Sequence, residues 1–286
     1  MGDGLTIERL RPHLVRAAQV ARDAEVRESP NGVHFATYGE TGVELPDLDR
    51  MLQAVPAAIV SSLGANTYYF VPLALRENAE QKPSEEGAMV AGQYTEEYGD
   101  AAICHRDVEL GSGKRGIFIS TRLMGDRFAL SFEFFINVAH AFVEQAGVPQ
   151  SFADLVWQQA LANVRGETSM DAWESRNLAL GRAMNAESEK ISPSRRTRAF
   201  APAASADPAA QSIDEKERKL FVESALSDAV AIYLLSLTLD FDYGELRERE
   251  YPLLAPTALA LRLRHIAELF PPNESYEFAV KYRRRA

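Results

Sequence analysis

Apolar and polar positions change their period several times along the first half of the chain. Leu10, Leu14, Ala17, Ala18 and Ala21 recur at helical spacing, which predicts an amphipathic helix from Leu5 to about Glu28, ended by SPNG at 29–32. VHFATYG at 33–39 reads as a strand, and LDRMLQAVPAAIVSSLG, after Pro46 and Asp47, as a helix closed by Gly64. TYYFVPL at 67–73 is the next strand. NAEQKPSEEG at 78–87 predicts a polar surface loop, and AMVAGQY a further strand. In AAICHRDVELGSGKRGIFISTRLM two β-rich runs flank Gly111, Ser112 and Gly113, whose permissive backbone suits a hairpin spanning about 102–124.

The hairpin feeds a helix at 126–146, and beyond Gly147 the pattern is almost wholly helical. Ser151 with Asp154, Thr168 with Asp171, and Ser212 with Glu215 are spaced as helix starts. The last of these precedes EKERKLFVESALSDAVAIYLLSLTLDF, whose second half is apolar almost all round and should run through the core. Pro252 and Pro256 precede a final helix, TALALRLRHIAELF, which Pro271 and Pro272 end. The expected fold class is α+β and mostly helical, with a small antiparallel sheet in the first half and a helical second half. Residues 1–189 form the α+β part. Residues 190–211, rich in Pro, Ala, Ser and Arg, read as a flexible loop, and 212–286 as helices packing on the same core.

Composition narrows the function classes. Hydrophobic residues make up 46% of the 286, enough for a real core. The most apolar stretch, Ala225 to Leu239, is too short for a membrane span and carries Asp228. Acidic residues at Asp3 and Glu8 are unlike a secretory signal, so the cytoplasm is the expected location. Cys104 is the single cysteine, expected as a small buried residue in a strand, with no partner for a disulfide or a zinc cluster. A net charge of −10 argues against broad nucleic-acid binding. Two basic clusters run against it: Lys190, Arg195, Arg196 and Arg198, and Lys281, Arg283, Arg284 and Arg285. They read first as solvated charge; a nucleic-acid contact through them is the less favoured reading.

Candidate chemistry centres on Arg127–Gly147. Glu133, Asn137, His140 and Glu144 fall within a narrow arc of one helix face, while aromatic and aliphatic residues cover the rest. That stripe is either a site or a polar seam satisfying groups on neighbouring elements. His140 and Glu144 are close enough to share an ion, but Glu133 lies too far along a straight helix for one compact metal to take all three. GSGKRG at 111–116 has phosphate-loop residue types but sits in a hairpin turn. Histidines stand at 13, 34, 105, 140 and 265; His105 on the hairpin and His140 on the next helix could meet.

Three pieces, in order, carry a family resemblance: GIFIS followed by RFALSFEFFI (Arg127–Ile136), Asp228 to Ser236 (DAVAIYLLS), and Ala258 to Leu263 (ALALRL). They resemble the ImmA/IrrE-like zinc peptidases, whose patterns read R-F-x-L-x-H-E-x-x-H, N-x-F-A-A-x-L-L-x and A-L-x-x-R-L. In H-E-x-x-H two imidazoles one turn apart bind zinc and the glutamate activates the bound water. Phe132 and Ile136 occupy the two ligand positions here, so of that motif only Glu133 remains. The family's third ligand is an acid near Glu223, which is out of register. The resemblance implies a zincin-like fold without its zinc.

Two functions follow as expectations. The first is a non-catalytic regulatory or scaffold protein with no cofactor, acting through a protein partner, with Ser192 or Ser194 as phosphorylation sites in the basic loop. The second is a metal-dependent hydrolase binding zinc or another divalent metal, with Glu133 as general base and His140, Glu144, Glu223 and Asp228 as the ligand candidates.

Overall fold

The computed structural model describes residues 14–76, 88–182, 213–246 and 251–280. The two basic clusters, Ser192 and Ser194, His13, the predicted loop at 78–87 and the Pro/Ala-rich stretch lie outside the described residues. The chain divides into two compact units: Met1–Gly147 with Val230–Phe241 and His265–Ala286, and Val148–Ala229 with Asp242–Arg264.

The first unit holds both sheets. One is antiparallel, in the order β1 (Leu14–Arg16), β6 (Met89–Ala91), β5 (Leu73–Leu75), β7 (Ala102–Ile103). The other runs β2 (Arg27–Glu28), β3 (His34–Thr37), β4 (Asn66–Val71), β9 (Arg115–Ser120), β8 (His105–Glu109). The α+β class holds, but this second sheet is mixed rather than wholly antiparallel: β3, β4 and β9 are parallel, and β2 and β8 are antiparallel edges. The reason lies between β3 and β4, where α2 (Leu45–Gln53) and α3 (Ala57–Val60) form the crossover that parallel neighbours need. The predicted N-terminal helix is shorter than its periodicity suggested, because Leu14–Arg16 pairs with β6 and only α1 (Ala17–Asp23) is helical among its described residues.

Side chains alternate across β4, so its two faces serve different cores. Tyr68 and Phe70 pack against Phe134 of α4 (Arg127–Ala146), with ring centroids 5.1 and 5.8 Å away. Tyr69 stacks on Phe118 at 4.6 Å within a cluster that includes Ala17 and Val20 of α1 and Val90 of β6. The hairpin turn is as predicted, with Gly111, Ser112 and Gly113 all at positive φ. Cys104 differs from expectation: it is exposed, at the junction where β7 hands the chain to β8 in the other sheet.

The second unit is helical. Helix α5 (Gln150–Leu161) starts at Pro149, ahead of the predicted Ser151 cap. Helix α6 (Met170–Ala179) is capped by Ser169, which accepts from Ala172 N, and not by Thr168, whose hydroxyl is turned to Asp228. Helix α7 (Glu215–Thr238) begins with Asp214 accepting from the amides of Lys216 and Glu217; α8 (Pro256–Leu269) opens on Pro256. Both α7 and α8 pass from the second unit to the first. By length and composition α7 could cross a membrane, but 72% of its most apolar window is buried, as in a core helix. Residues 165–167 pair with 252–255 through Glu167 N to Pro252 O, Leu254 N to Glu167 O and Ala255 N to Arg165 O. That pairing needs glycine at 166, where φ is +76° and a Cβ would collide with the Leu253 carbonyl.

Candidate functional site

The polar stripe of α4 meets the hairpin. Glu133 Oε1 lies 2.6 Å from His105 Nδ1 on β8 and 3.1 Å from Asn137 Nδ2, and the Asn137 amide also donates to the Glu133 carbonyl at 2.8 Å. With Nδ1 protonated, the imidazole donates to the carboxylate, which holds the His105 pKa above its ordinary value through that hydrogen bond against the opposing effect of burial. Three turns further along, Arg115 of β9 donates two hydrogen bonds to Glu144, at 2.6 and 3.1 Å, and the guanidinium lowers the Glu144 pKa.

The stripe therefore has a buried member, Asn137, flanked by two carboxylates that each grip one strand of the hairpin. His140 lies between them and is exposed. The hairpin does meet this helix, and His105 is bonded to Glu133. His34 is 4.0 Å from Glu28, and His265 is 3.7 Å from Glu268.

The remaining candidate ligands belong to the second unit. Glu223 sits 3.7 Å from Lys219, one turn back on α7. Asp228 Oδ2 accepts from Thr168 at 2.7 Å, and burial pushes its pKa up to about 6. Among the described residues no group of three or more His, Cys, Asp or Glu comes together to hold a metal ion.

Beside Asp228 the second unit contains a charged network that sequence reasoning did not identify. Glu167, Arg176 and Arg262 are all at most 1% exposed. Arg262 donates to both Glu167 oxygens at 2.8 and 3.2 Å and to Gln159 at 2.7 Å. Arg176 donates to Glu167 at 3.2 Å and to the carbonyls of Gly166 and Val164 at 2.8 and 2.7 Å. Two cations on one carboxylate hold α6, α8 and the 165–167 segment together. Apart from Arg176 Nε, which has no partner among the described residues, the charged groups of the trio are bonded within it or to neighbouring amides and carbonyls, so it has the character of structural ties.

A cleft of about 280 Å³ opens in the first unit outside the carboxyl ends of the parallel strands. The loop after β3, the loop after β9 and the first turns of α2 and α4 line it. Thr121 draws the strand ends together: its hydroxyl lies 2.7 Å from the Thr41 carbonyl and 3.1 Å from that of Val71. Leu48, Met51 and Leu130 supply apolar lining, and Arg127 pairs with Asp47 at 2.9 Å. Asp126 caps α4 by accepting from Ala129 N at 2.8 Å. In parallel-strand folds this end of the sheet is where ligands commonly sit.

Comparison with protein-family models, with curated proteins and with solved structures found no match.

Proposed function

We propose that this chain is a non-catalytic regulatory or scaffold protein of the cytoplasm that acts by binding a protein partner, on a zincin-like framework that works without zinc. The observation that carries the reading is the engagement of Glu133. As a general base it would have to address a metal-bound water; here the same oxygen accepts from both His105 and Asn137. Beside it, Phe132 and Ile136 stand where the resemblance would need imidazoles, and neither can bind a metal. Glu144 is likewise held by Arg115, so the stripe fastens the hairpin to α4.

Elemental analysis of protein purified without an affinity metal tests this. No stoichiometric zinc, iron or manganese in the wild type or in His140→Ala is the expected outcome. About one metal per chain, lost in His140→Ala, would overturn it in favour of a metal-dependent hydrolase built on Glu133, His140 and Glu144.

A further inference from the structure

The geometry points to the cleft at the carboxyl ends of β3, β4 and β9 as a binding site for a free α-amino acid with an aliphatic side chain, its carboxylate on Arg122 and its ammonium on Glu44. This goes beyond the partner-binding reading and stands or falls on the cleft alone.

The charges decide the ligand class. Of the ionisable side chains lining the cleft, Arg127 and Asp47 neutralise each other, and Asp126 is bonded to the start of α4. That leaves one cation, Arg122, and two anions; Asp126 is committed to the helix cap, so Arg122 and Glu44 are the charges open to a ligand, and neither has an ion-pair partner among the described residues. Arg122 is also placed by the backbone. Its guanidinium lies over Gly42, where a Cβ would come within 2.5 Å of Nη1, and Gly42 takes a φ of +69°. Both are exposed to water, so neither needs a partner to be satisfied, but a zwitterion seated in the cleft pairs with both while a singly charged ligand pairs with one.

The lining decides the rest. Leu48, Met51 and Leu130 are at most 6% exposed and offer an apolar surface to a branched side chain. Ser131, also on the lining, is 2% exposed, and its hydroxyl makes no hydrogen bond among the described residues, which leaves it for a polar atom of the ligand. At about 280 Å³ the space falls just short of the roughly 300 Å³ at which pockets for drug-sized ligands begin, which suits a single amino acid and not a dinucleotide.

The test uses the full chain with labelled methionine methyl groups, so that Met51 reports the cleft and Met170, on α6 in the second unit, serves as control. L-leucine and L-valine at millimolar concentration should move Met51 saturably and leave Met170 in place. Isocaproate, which lacks the ammonium, and isoamylamine, which lacks the carboxylate, should bind more weakly than leucine. Arg122→Gln should weaken leucine about 10- to 100-fold, the usual effect of removing a charge-assisted hydrogen bond. Glu44→Gln should abolish the preference for leucine over isocaproate. Both side chains are exposed, so the variants should keep the wild-type fold. An unmoved Met51 with both amino acids, or equal leucine affinity in wild type and Arg122→Gln, would overturn the assignment.

Discussion

Replacing Glu167 by Gln should be among the most damaging single changes the second unit can suffer. The carboxylate is fully buried and accepts three hydrogen bonds, at 2.8, 3.2 and 3.2 Å, from two guanidiniums. The amide keeps the shape and one acceptor but removes the only carboxylate, among the described residues, to which either arginine is paired. Arg176 would retain the Gly166 and Val164 carbonyls; Arg262 would retain Gln159 alone. Breaking a buried pair from one side costs about 3–5 kcal/mol, because an uncompensated charge is left behind. With two arginines stranded, the upper end is expected. At about 2–4 °C per kcal/mol for a chain of this size class, a loss of about 5 kcal/mol should lower the transition by about 10–20 °C. Both tryptophans, Trp157 and Trp173, lie in the second unit, so urea or thermal unfolding followed by tryptophan fluorescence reads that unit directly. Glu167→Leu combined with Arg176→Met and Arg262→Met should recover much of the loss, since apolar replacement removes the stranded charges as well. A Glu167→Gln variant within about 1 kcal/mol of wild type would refute the claim that this carboxylate neutralises both arginines.

Three further outcomes follow from the same contacts. The raised His105 pKa means that the His105–Glu133 contribution is fully present below about pH 6.5 and is lost as pH rises through the folded-state value, so Glu133→Gln should destabilise in mildly acidic buffer and converge on wild type in alkaline buffer, by calorimetry. Asp228 has the same sign in a lower window: its folded pKa is raised from 3.8 to about 6, so stability falls as pH climbs through that interval, and Asp228→Asn should flatten this dependence in tryptophan-monitored unfolding. Tyr68 carries a buried hydroxyl with no hydrogen-bond partner among the described residues, and burial pushes its pKa up, so Tyr68→Phe should be neutral or stabilising by about 1 kcal/mol in calorimetry of the purified variant.

What could be read from the chain, and what could not, divides along physical lines. Most strand and helix positions in the first unit follow from local period and turn chemistry and were legible; β1 and β2 were not, because they are set by pairing with β6 and β3 and fell within the predicted helix. That β3 and β4 run parallel follows from the helical crossover between them, a signal that the expectation of an antiparallel sheet overlooked. The α4 stripe was visible as spacing, but its partners were not, because they depend on how β8 and β9 align: His105 stands opposite Ile119, and Arg115 opposite Glu109. The buried network was missed although one signal was available. Arg262 is four residues from both Ala258 and Ile266, on the face of α8 that is buried, whereas Arg264 is off it. An arginine in register with the apolar face of a helix requires a buried acceptor, and the chain's acids gave no means of choosing Glu167 among them.

Helix α4 connects these observations, because its faces do different work. Phe134 fills the space above Tyr68 and Phe70, Glu133 and Glu144 hold the hairpin, and the first turns from Asp126 to Ser131 form one wall of the cleft. A helix fixed by an apolar face, two polar clamps and an N-terminal cap gives that wall a defined position before any ligand arrives. Binding there would not have to order the wall, and a preformed site keeps more of its gross interaction energy as affinity. The same argument explains why polar residues belong in an otherwise core-grade helix. The hairpin covers α4 from a sheet edge that water still reaches, with His105 41% and Glu144 52% exposed at the side chain. At such an edge directional hydrogen bonds fix the register of strand on helix, which apolar contact alone leaves free to slide.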